Sequence, residues 1–383
     1  MSRRLGFVLS GGGARGAFQV GVYERLLQDP RFADGPQVVS GTSAGAINGA
    51  LIAAGKSPKE MMKFWNGIAD DPPAVASPVF FATAASTLAR LIASEVIQLM
   101  LPGKRWTALW QRASNHFPPG RGSLLAFVTE YLLTSRFELI SQFLEGIRAP
   151  YVADVSLLRE RLFDVFGGDK VPDSDIKLAI NTVDAHTGQV VRYVTQATAF
   201  TRPPDYNIVD SITVDMVLAS CSIPLLFPPV EIDEHLLWDG GLLVNTPLAP
   251  VVALGAEEIV TVLVTEPAEP GHKPFPHFGR AVERTVDGFL DNAYNVDRKL
   301  LLERNRLARL DKGPYREVSL YEPVRPARDN CFNAGSYLYF DREVLQAMHK
   351  AGRRAATAWL KEGPPVDRLD EPLMEDAATQ AVG

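Results

Sequence analysis

Residues 38 to 46 read Val-Val-Ser-Gly-Thr-Ser-Ala-Gly-Ala, a short apolar run followed by small residues. This pattern predicts a strand that turns sharply and enters a helix, with Ser43 at the apex of the turn. Because the backbone at such an apex is strained, small residues are needed around it, and Gly41, Ala44 and Gly45 meet that need. The serine hydroxyl would lie at a helix N-terminus, where negative charge is stabilised. The stretch therefore predicts a nucleophile elbow, although the pentapeptide alone also arises by chance.

The residues before the elbow repeat the same alternation of strand and helix. Residues 5–9 predict a first strand, residues 10–16 a glycine loop and residues 17–28 a helix, while the elbow helix is expected to end near Ala54. Strand, helix, strand and helix in immediate succession are typical of a parallel sheet covered on both faces. The predicted fold class is therefore α/β, with a parallel-rich sheet between helices.

The composition of the 383 residues is that of a globular protein with a full core, at 46% hydrophobic and 22% charged. The formal net charge of −6 argues against a general nucleic-acid binder. Two cysteines, Cys221 and Cys331, are too few for a disulfide framework or a cysteine metal cluster. The apolar run at residues 5–9 is too short for a signal peptide, so we expect a cytoplasmic protein.

The domain organisation is inferred from changes in amino-acid composition along the chain. Residues 71–150 look like a helical insertion or cap, because Pro-rich turns surround a long apolar helix there. We expect a catalytic domain from residues 1–70 and 151–310, a C-terminal strand and helix packing on it at 311–362, and a disordered tail at 363–383. The elements predicted for the later part are strands at 176–183, 190–195, 230–238, 258–264 and 316–321, and helices at 215–220, 248–254, 278–310 and 341–361.

The segment from residue 79 to residue 112 has the character of a membrane-surface element. Its apolar part is long enough to span a bilayer, but Arg90 and Glu95 near its centre would each cost about 2.5 to 3.5 kcal/mol there. A transmembrane helix is therefore not expected. Basic residues and two tryptophans flank the apolar run, which suits peripheral contact with a membrane interface. A cap helix packed on the enzyme body is an equally good interpretation.

Residues 11–16, Gly-Gly-Gly-Ala-Arg-Gly, fit a dinucleotide-binding loop between a strand and a helix. That interpretation also requires an acidic residue roughly 20 positions further on, at the end of the second strand. The second strand ends instead in Ser40-Gly41-Thr42-Ser43, so a dinucleotide site is disfavoured. The alternative is an oxyanion hole, in which glycine N–H groups point at a tetrahedral intermediate.

A nucleophilic serine needs a base, and the sequence offers two kinds. His272 and His277 are positioned for a Ser-Asp-His order, but their flanking prolines suit a surface loop. Asp239 ends an apolar run and is followed by Gly240 and Gly241, which allow close backbone approach. An aspartate is a weak base at its usual pKa of about 3.9, so it would have to act from a partly desolvated site.

Four motifs, in this order and spacing, resemble the patatin-like phospholipase family across residues 5 to 265. They are residues 11–16, residues 41–45, residues 219–224 (Ala-Ser-Cys-Ser-Ile-Pro) and residues 239–247 (Asp-Gly-Gly-Leu-Leu-Val-Asn-Thr-Pro). The chain departs from the common pattern at Ser10, where many members carry aspartate.

The resemblance implies a Ser43–Asp239 dyad without histidine, metal or cofactor. It also implies an oxyanion hole at Gly11, Gly12, Gly13 and Ala44, with Arg15 and Gly16 ordering the loop. The expected activity is hydrolysis of acyl esters in phospholipids, of phospholipase A or lysophospholipase type. An acyltransferase using the same acyl-enzyme, or a catalytically silent membrane-binding protein, stays open at this point, as does the oligomeric state.

Overall fold

The computed structural model describes most of the chain, and the statements below concern those residues. They are residues 3–71, 73–100, 137–195, 206–267, 278–311, 315–327, 332, 334–361, 363–364 and 366–367. Contact clustering divides the chain into two compact units, one of residues 1–74, 155–224 and 229–383 and one of residues 75–154 and 225–228.

Strands and helices are interleaved along the described residues of both units, and the first four elements follow the order that the sequence pattern predicts. The strands are β1 Leu5–Leu9, β2 Val38–Gly41, β3 Val75–Ala76, β4 Ala153–Asp154, β5 Lys177–Asp184, β6 Val190–Thr195, β7 Tyr206–Val209, β8 Val230–Ile232, β9 His235–Asp239, β10 Glu258–Val262 and β11 Ser319–Leu320. The helices are α1 Gly16–Leu27, α2 Ala44–Ala53, α3 Pro58–Asp70, α4 Pro78–Met100, α5 Phe137–Gly146, α6 Ser156–Phe166, α7 Val214–Ala219, α8 Gly241–Val244, α9 Leu248–Ala253, α10 Phe278–Arg309 and α11 Arg342–Lys361.

One nine-stranded sheet forms the centre of the first unit. Its main path runs β11-β10-β1-β2-β5-β6-β7, and β9 joins through β5 with β8 paired to β9. Neighbours from β11 to β5 are all parallel, whereas β6 and β9 both run antiparallel to β5. The predicted α/β class with a parallel-rich sheet between helices is confirmed.

The central strands are buried because helices cover the sheet. Every residue of β1 and β2 is buried, as the continuous apolar run of a parallel strand predicts. On one side, Tyr294, Leu301 and Leu302 of α10 join the same core cluster as Val8 and Val38. Elsewhere α11 packs along α1.

Helix starts follow the local sequence signals closely. Ser57 caps α3 in a reciprocal arrangement, in which its hydroxyl accepts from the Glu60 N–H and the Glu60 carboxylate accepts from the Ser57 N–H. Pro58 occupies the first helical position, where no N–H is needed.

The predicted single strand at 230–238 is in fact a hairpin. Asp233 adopts a positive φ of 54°, which breaks the extended conformation between β8 and β9. Antiparallel pairs then join Val230 to Leu237 and Ile232 to His235. The sequence pattern predicts neither the helices α6 and α8 nor the strands β3, β4 and β7, and α5 lies within the segment 71–150 that is expected to be helical.

Among its described residues, the second unit has a short antiparallel strand pair and the helices α4 and α5. Strand β3 pairs with β4, and α4 packs against α5 with the Thr87 hydroxyl donating to the Gly146 carbonyl at 3.0 Å. Within the described residues, no helix combines the length and apolar content required to cross a bilayer. Residues 101–112 and the tail from residue 368 onward lie outside the described residues.

Candidate active site

Ser43 sits at the apex of a tight turn between β2 and α2. Its φ of 55° and ψ of −125° form a conformation that L-residues rarely adopt. The turn closes so tightly that a Cβ on Gly41 would lie 2.1 Å from the Gly45 carbonyl oxygen. A Cβ on Gly45 would likewise lie 2.1 Å from the Leu9 carbonyl oxygen. Both glycines are therefore required by close backbone approach, as the elbow pattern predicts.

Asp239 reaches Ser43 because β2 and β9 both pair with β5, one with its first half and the other with its second half. Strand β2 pairs with the first half of β5 up to Ile180, and Asp239 pairs with Thr182 from the opposite direction. The ends of the two strands thus meet beside β5. There the Ser43 hydroxyl lies close enough to the Asp239 carboxylate for its interaction with the carboxylate to lower the pKa of Asp239.

The environment of the Asp239 carboxylate makes it more basic than an ordinary aspartate. Burial raises its pKa to about 7, although hydrogen bonds from the Ser43 hydroxyl and the Gly241 N–H act in the opposite direction. The Gly241 N–H donates to Oδ1 at 2.7 Å. Gly240 turns the chain against β5, where a Cβ would lie 2.8 Å from the Asn181 carbonyl oxygen. A carboxylate of this pKa can accept a proton near neutral pH.

Ser220 and Asn181 hold the elbow in place, although the sequence pattern predicts a role for neither residue. The Ser220 hydroxyl accepts from the Ser43 N–H at 3.0 Å and donates to the Asn181 carbonyl at 2.6 Å. The Asn181 side chain donates to the Gly41 carbonyl at 2.8 Å. These bonds satisfy buried polar groups on both sides of the strained turn. The only available signal was the position of Ser220 within the motif at residues 219–224.

The glycine loop lies directly beside the serine. A Cβ on Gly11 would lie 3.2 Å from the Ser43 Cβ, and the Gly11 N–H donates to the Asn245 carbonyl at 3.0 Å. That N–H is consequently already engaged within the protein. Among the hydrogen bonds of the described residues, none uses the N–H of Gly12, Gly13 or Ala44. Those three groups are the backbone donors of the predicted set that are left for an oxyanion.

Arg15 anchors the glycine loop through a buried network of hydrogen bonds and charge contacts. Its Nε donates to the Ser336 hydroxyl at 2.9 Å and its Nη1 donates to the Val264 carbonyl at 3.1 Å. The guanidinium also lies 3.7 Å from the centre of the Tyr337 ring and 3.7 Å from an Asp287 oxygen. The Tyr337 hydroxyl in turn donates to Asp287 at 2.6 Å. All these partners are far from Arg15 in sequence, so no local pattern indicates them.

Gly16 and Ser10 complete the setting of the loop. A Cβ on Gly16 would lie 2.3 Å from the Trp65 ring, so glycine lets this indole pack on the start of α1. The Ser10 hydroxyl accepts from the Val264 N–H at 3.2 Å. Serine at this position therefore links the ends of β1 and β10 rather than facing the Ser43–Asp239 pair.

Among the described histidines, none is brought to the Ser43–Asp239 pair to act as the base. His235 lies 2.7 Å from the Asp184 carboxylate, and His349 lies 2.8 Å from Glu24. His272 and His277 lie outside the described residues. Their part in catalysis stays a prediction.

A family model described as patatin-like phospholipase matches residues 7–252. Among solved structures, VipD from Legionella pneumophila is similar with a TM-score of 0.41 and 14% identity over 94% of this chain and 67% of that chain. The type III effector protein ExoU is similar with a TM-score of 0.35 and 18% identity over 94% of this chain and 53% of that chain. The chain thus spans about two thirds of VipD and about half of ExoU. No curated protein matches the chain in sequence.

Proposed function

Because the chain belongs to the patatin-like phospholipase family, we propose that it hydrolyses fatty-acyl esters of phospholipids or lysophospholipids, with Ser43 as nucleophile and Asp239 as base. Family membership supports lipid hydrolase activity in general. One observation carries the assignment of residues, namely the position of the Ser43 hydroxyl beside a buried carboxylate whose pKa is raised to about 7.

The raised pKa removes the main objection to a base other than histidine. An ordinary aspartate has a pKa of about 3.9 and binds a serine proton too weakly at neutral pH. Desolvation of Asp239 narrows the gap in proton affinity between the carboxylate and the attacking hydroxyl. Since the Ser43 hydroxyl lies beside the carboxylate, the proton has only a short distance to move.

The reaction then proceeds in two halves. The Ser43 oxygen bonds to the ester carbonyl carbon as its proton passes to Asp239, and the carbonyl electron pair moves onto oxygen. When that pair returns, the bond to the alcohol breaks and Asp239 gives its proton to the departing oxygen. Water repeats the sequence on the acyl-enzyme, with Asp239 taking a proton from water and returning one to Ser43, which releases the fatty acid.

We also propose that α4 contacts the lipid surface from which substrate is drawn. Phe81, Leu88 and Ile92 are exposed on α4 at spacings of seven and four residues, so they share one face. An exposed apolar stripe on a helix fits the headgroup boundary of a bilayer. The basic residues and tryptophans between positions 101 and 112 lie outside the described residues.

The experiment is product analysis of phospholipid vesicles and of a soluble acyl ester with wild type, Ser43→Ala and Asp239→Asn. We expect each variant to lose at least about a thousandfold in kcat while keeping the wild-type Tm within a few degrees or raising it. Free fatty acid is the expected main product, even with an acceptor alcohol present. Undiminished hydrolysis by Ser43→Ala would contradict the proposed nucleophile, and acyl transfer to the alcohol as the main outcome would contradict a hydrolase.

A further inference from the structure

Asn245 is a third polar residue of the site, and the proposed mechanism leaves it without a role. It follows α8, which begins two residues after Asp239, and only 2% of its surface is exposed. Its backbone carbonyl accepts the Gly11 N–H at 3.0 Å. Asn245 therefore takes away one of the backbone donors that the glycine loop would otherwise offer to an oxyanion.

The side chain of Asn245 lies between the glycine loop and the turn after Asp239. Its Oδ1 is 2.4 Å from the place that a Cβ on Gly11 would occupy, and the Ser43 Cβ is 3.2 Å from the same place. A Cβ on Gly241 would lie 3.4 Å from Asn245 Oδ1 and 3.1 Å from Asp239 Oδ1. The Oδ1 end of the amide thus borders both members of the Ser43–Asp239 pair, and the missing side chain of Gly11 leaves the space between them open. A half-turn of the amide about χ2 brings Nδ2 to the place of Oδ1.

No hydrogen bond joins the Asn245 side-chain amide to another group in the described part of the chain. A buried amide without partners costs about 1 to 3 kcal/mol, so proteins rarely keep one without a use. The buried amide of Asn48 shows the usual state, since it donates to the Gly16 carbonyl and accepts from the Trp65 ring N–H. Asn245 instead keeps two N–H donors without partners, and the half-turn that exchanges Nδ2 with Oδ1 presents them beside the nucleophile.

We propose that the Asn245 side-chain amide is a catalytic residue that donates a hydrogen bond to the oxyanion, in place of the engaged Gly11 N–H. This inference rests on the proposed function. As the Ser43 oxygen bonds to the carbonyl carbon and the electron pair moves onto the carbonyl oxygen, an Asn245 N–H donates to that oxygen together with the loop N–H groups. When the pair returns and the ester bond breaks, the hydrogen bond weakens again. An asparagine side chain is a known type of oxyanion donor, each donor being worth about 10²- to 10³-fold in kcat.

The test compares Asn245→Leu and Asn245→Gln with wild type on a soluble acyl ester. Leucine fills a similar volume without donors, and every variant keeps the backbone carbonyl that binds Gly11. We expect Asn245→Leu to lose about 10²- to 10³-fold in kcat with KM within about threefold of wild type. Glutamine, which retains the amide, should recover part of the loss.

A trifluoromethyl ketone of the same acyl chain separates this role from a structural one. Such a ketone forms a tetrahedral adduct with the serine, so its inhibition constant should rise by about the same factor as kcat/KM falls. The matched control is Asn305→Leu, because Asn305 is a buried asparagine that bonds the Val318 backbone away from the site. That control should lower Tm and leave kcat and ketone affinity unchanged.

Two outcomes would overturn the inference. One is a kcat for Asn245→Leu within threefold of wild type, and the other is a lower kcat with unchanged ketone affinity. Both outcomes count only for ester hydrolysis that the Ser43→Ala substitution abolishes. Full activity of Ser43→Ala would contradict the proposed function itself, so the two failures are distinguishable.

Discussion

At the scale of single residues, the site depends on one carboxylate kept away from water. Asp239 is 5% exposed, and its pKa is raised to about 7 by burial. In the unfolded chain an aspartate has a pKa of about 3.9, so the folded protein binds this proton more tightly. Because the unfolded chain releases this proton at a lower pH than the folded protein does, the raised pKa reduces stability as the pH rises from about 4 to about 7.

The Asp239→Asn substitution should remove this loss of folding stability, and the gain in stability should depend on pH. Near pH 4 the folded wild type holds Asp239 protonated and the variant should unfold at a similar temperature. As pH rises from 4 to 7 the wild type loses stability, and above pH 7 the full difference is at most roughly 4 kcal/mol in favour of the variant. Thermal unfolding at pH 4 and pH 8 measures this. The same Tm difference at both pH values would argue against a raised pKa.

At the scale of elements, a short turn from the far end of the chain holds the glycine loop. The 3-10 turn at Ala334–Tyr337 supplies the Ser336 hydroxyl and the Tyr337 ring that contact Arg15. Its Tyr337 carbonyl oxygen would lie 2.0 Å from a Cβ on Gly13. Gly13 also has a φ of 54°, which a side chain strains. The loop and the turn are therefore fitted to each other.

Gly13→Ala tests this fit. The added methyl group must displace the turn or the loop, so we expect at least about a tenfold loss of kcat and a lower Tm. Gly288→Ala is the matched control, because it lies within α10 with nothing near its Cβ position. Alanine there should raise stability by about 0.5 to 1 kcal/mol and leave turnover unchanged. Equal activity of both variants would show that the loop does not depend on the turn.

Helix α4 supplies the second prediction at this scale. Replacing Phe81, Leu88 and Ile92 by serine should weaken binding to phospholipid vesicles about tenfold or more, because each side chain loses apolar area to bury. Turnover of a soluble ester should stay near the wild-type rate. Phe163→Ser is the control, since Phe163 is exposed on α6 of the other unit. Parallel losses in vesicle binding and soluble turnover would contradict a surface role for α4.

At the scale of the whole molecule, the part of the chain beyond the family match completes the unit that contains Ser43 and Asp239. The match ends at residue 252, yet β10 pairs with β1 in the middle of the sheet. The partners of Arg15 at Val264, Asp287 and Ser336 also lie beyond that residue. The central sheet and the support of the glycine loop are thus built from segments more than 240 residues apart in sequence.

The sequence by itself determined the elements and the chemistry that depends on neighbours in the chain. The alternation of apolar runs and glycine turns predicts β1, α1, β2 and α2, and Gly41 and Gly45 in the sequence predict the strained turn at Ser43. Recognition of the family, confirmed by the match, rests on four such local motifs. These features are readable because backbone conformation and helix capping are set within a few residues.

Only the tertiary structure decided which distant groups meet and how basic or free they are. The meeting of β2 and β9 beside β5 brings Asp239 to Ser43, and burial there raises its pKa. The same packing engages the Gly11 N–H with the Asn245 carbonyl. Desolvation and long-range hydrogen bonds depend on how the whole chain packs, and a single sequence carries no local pattern for them.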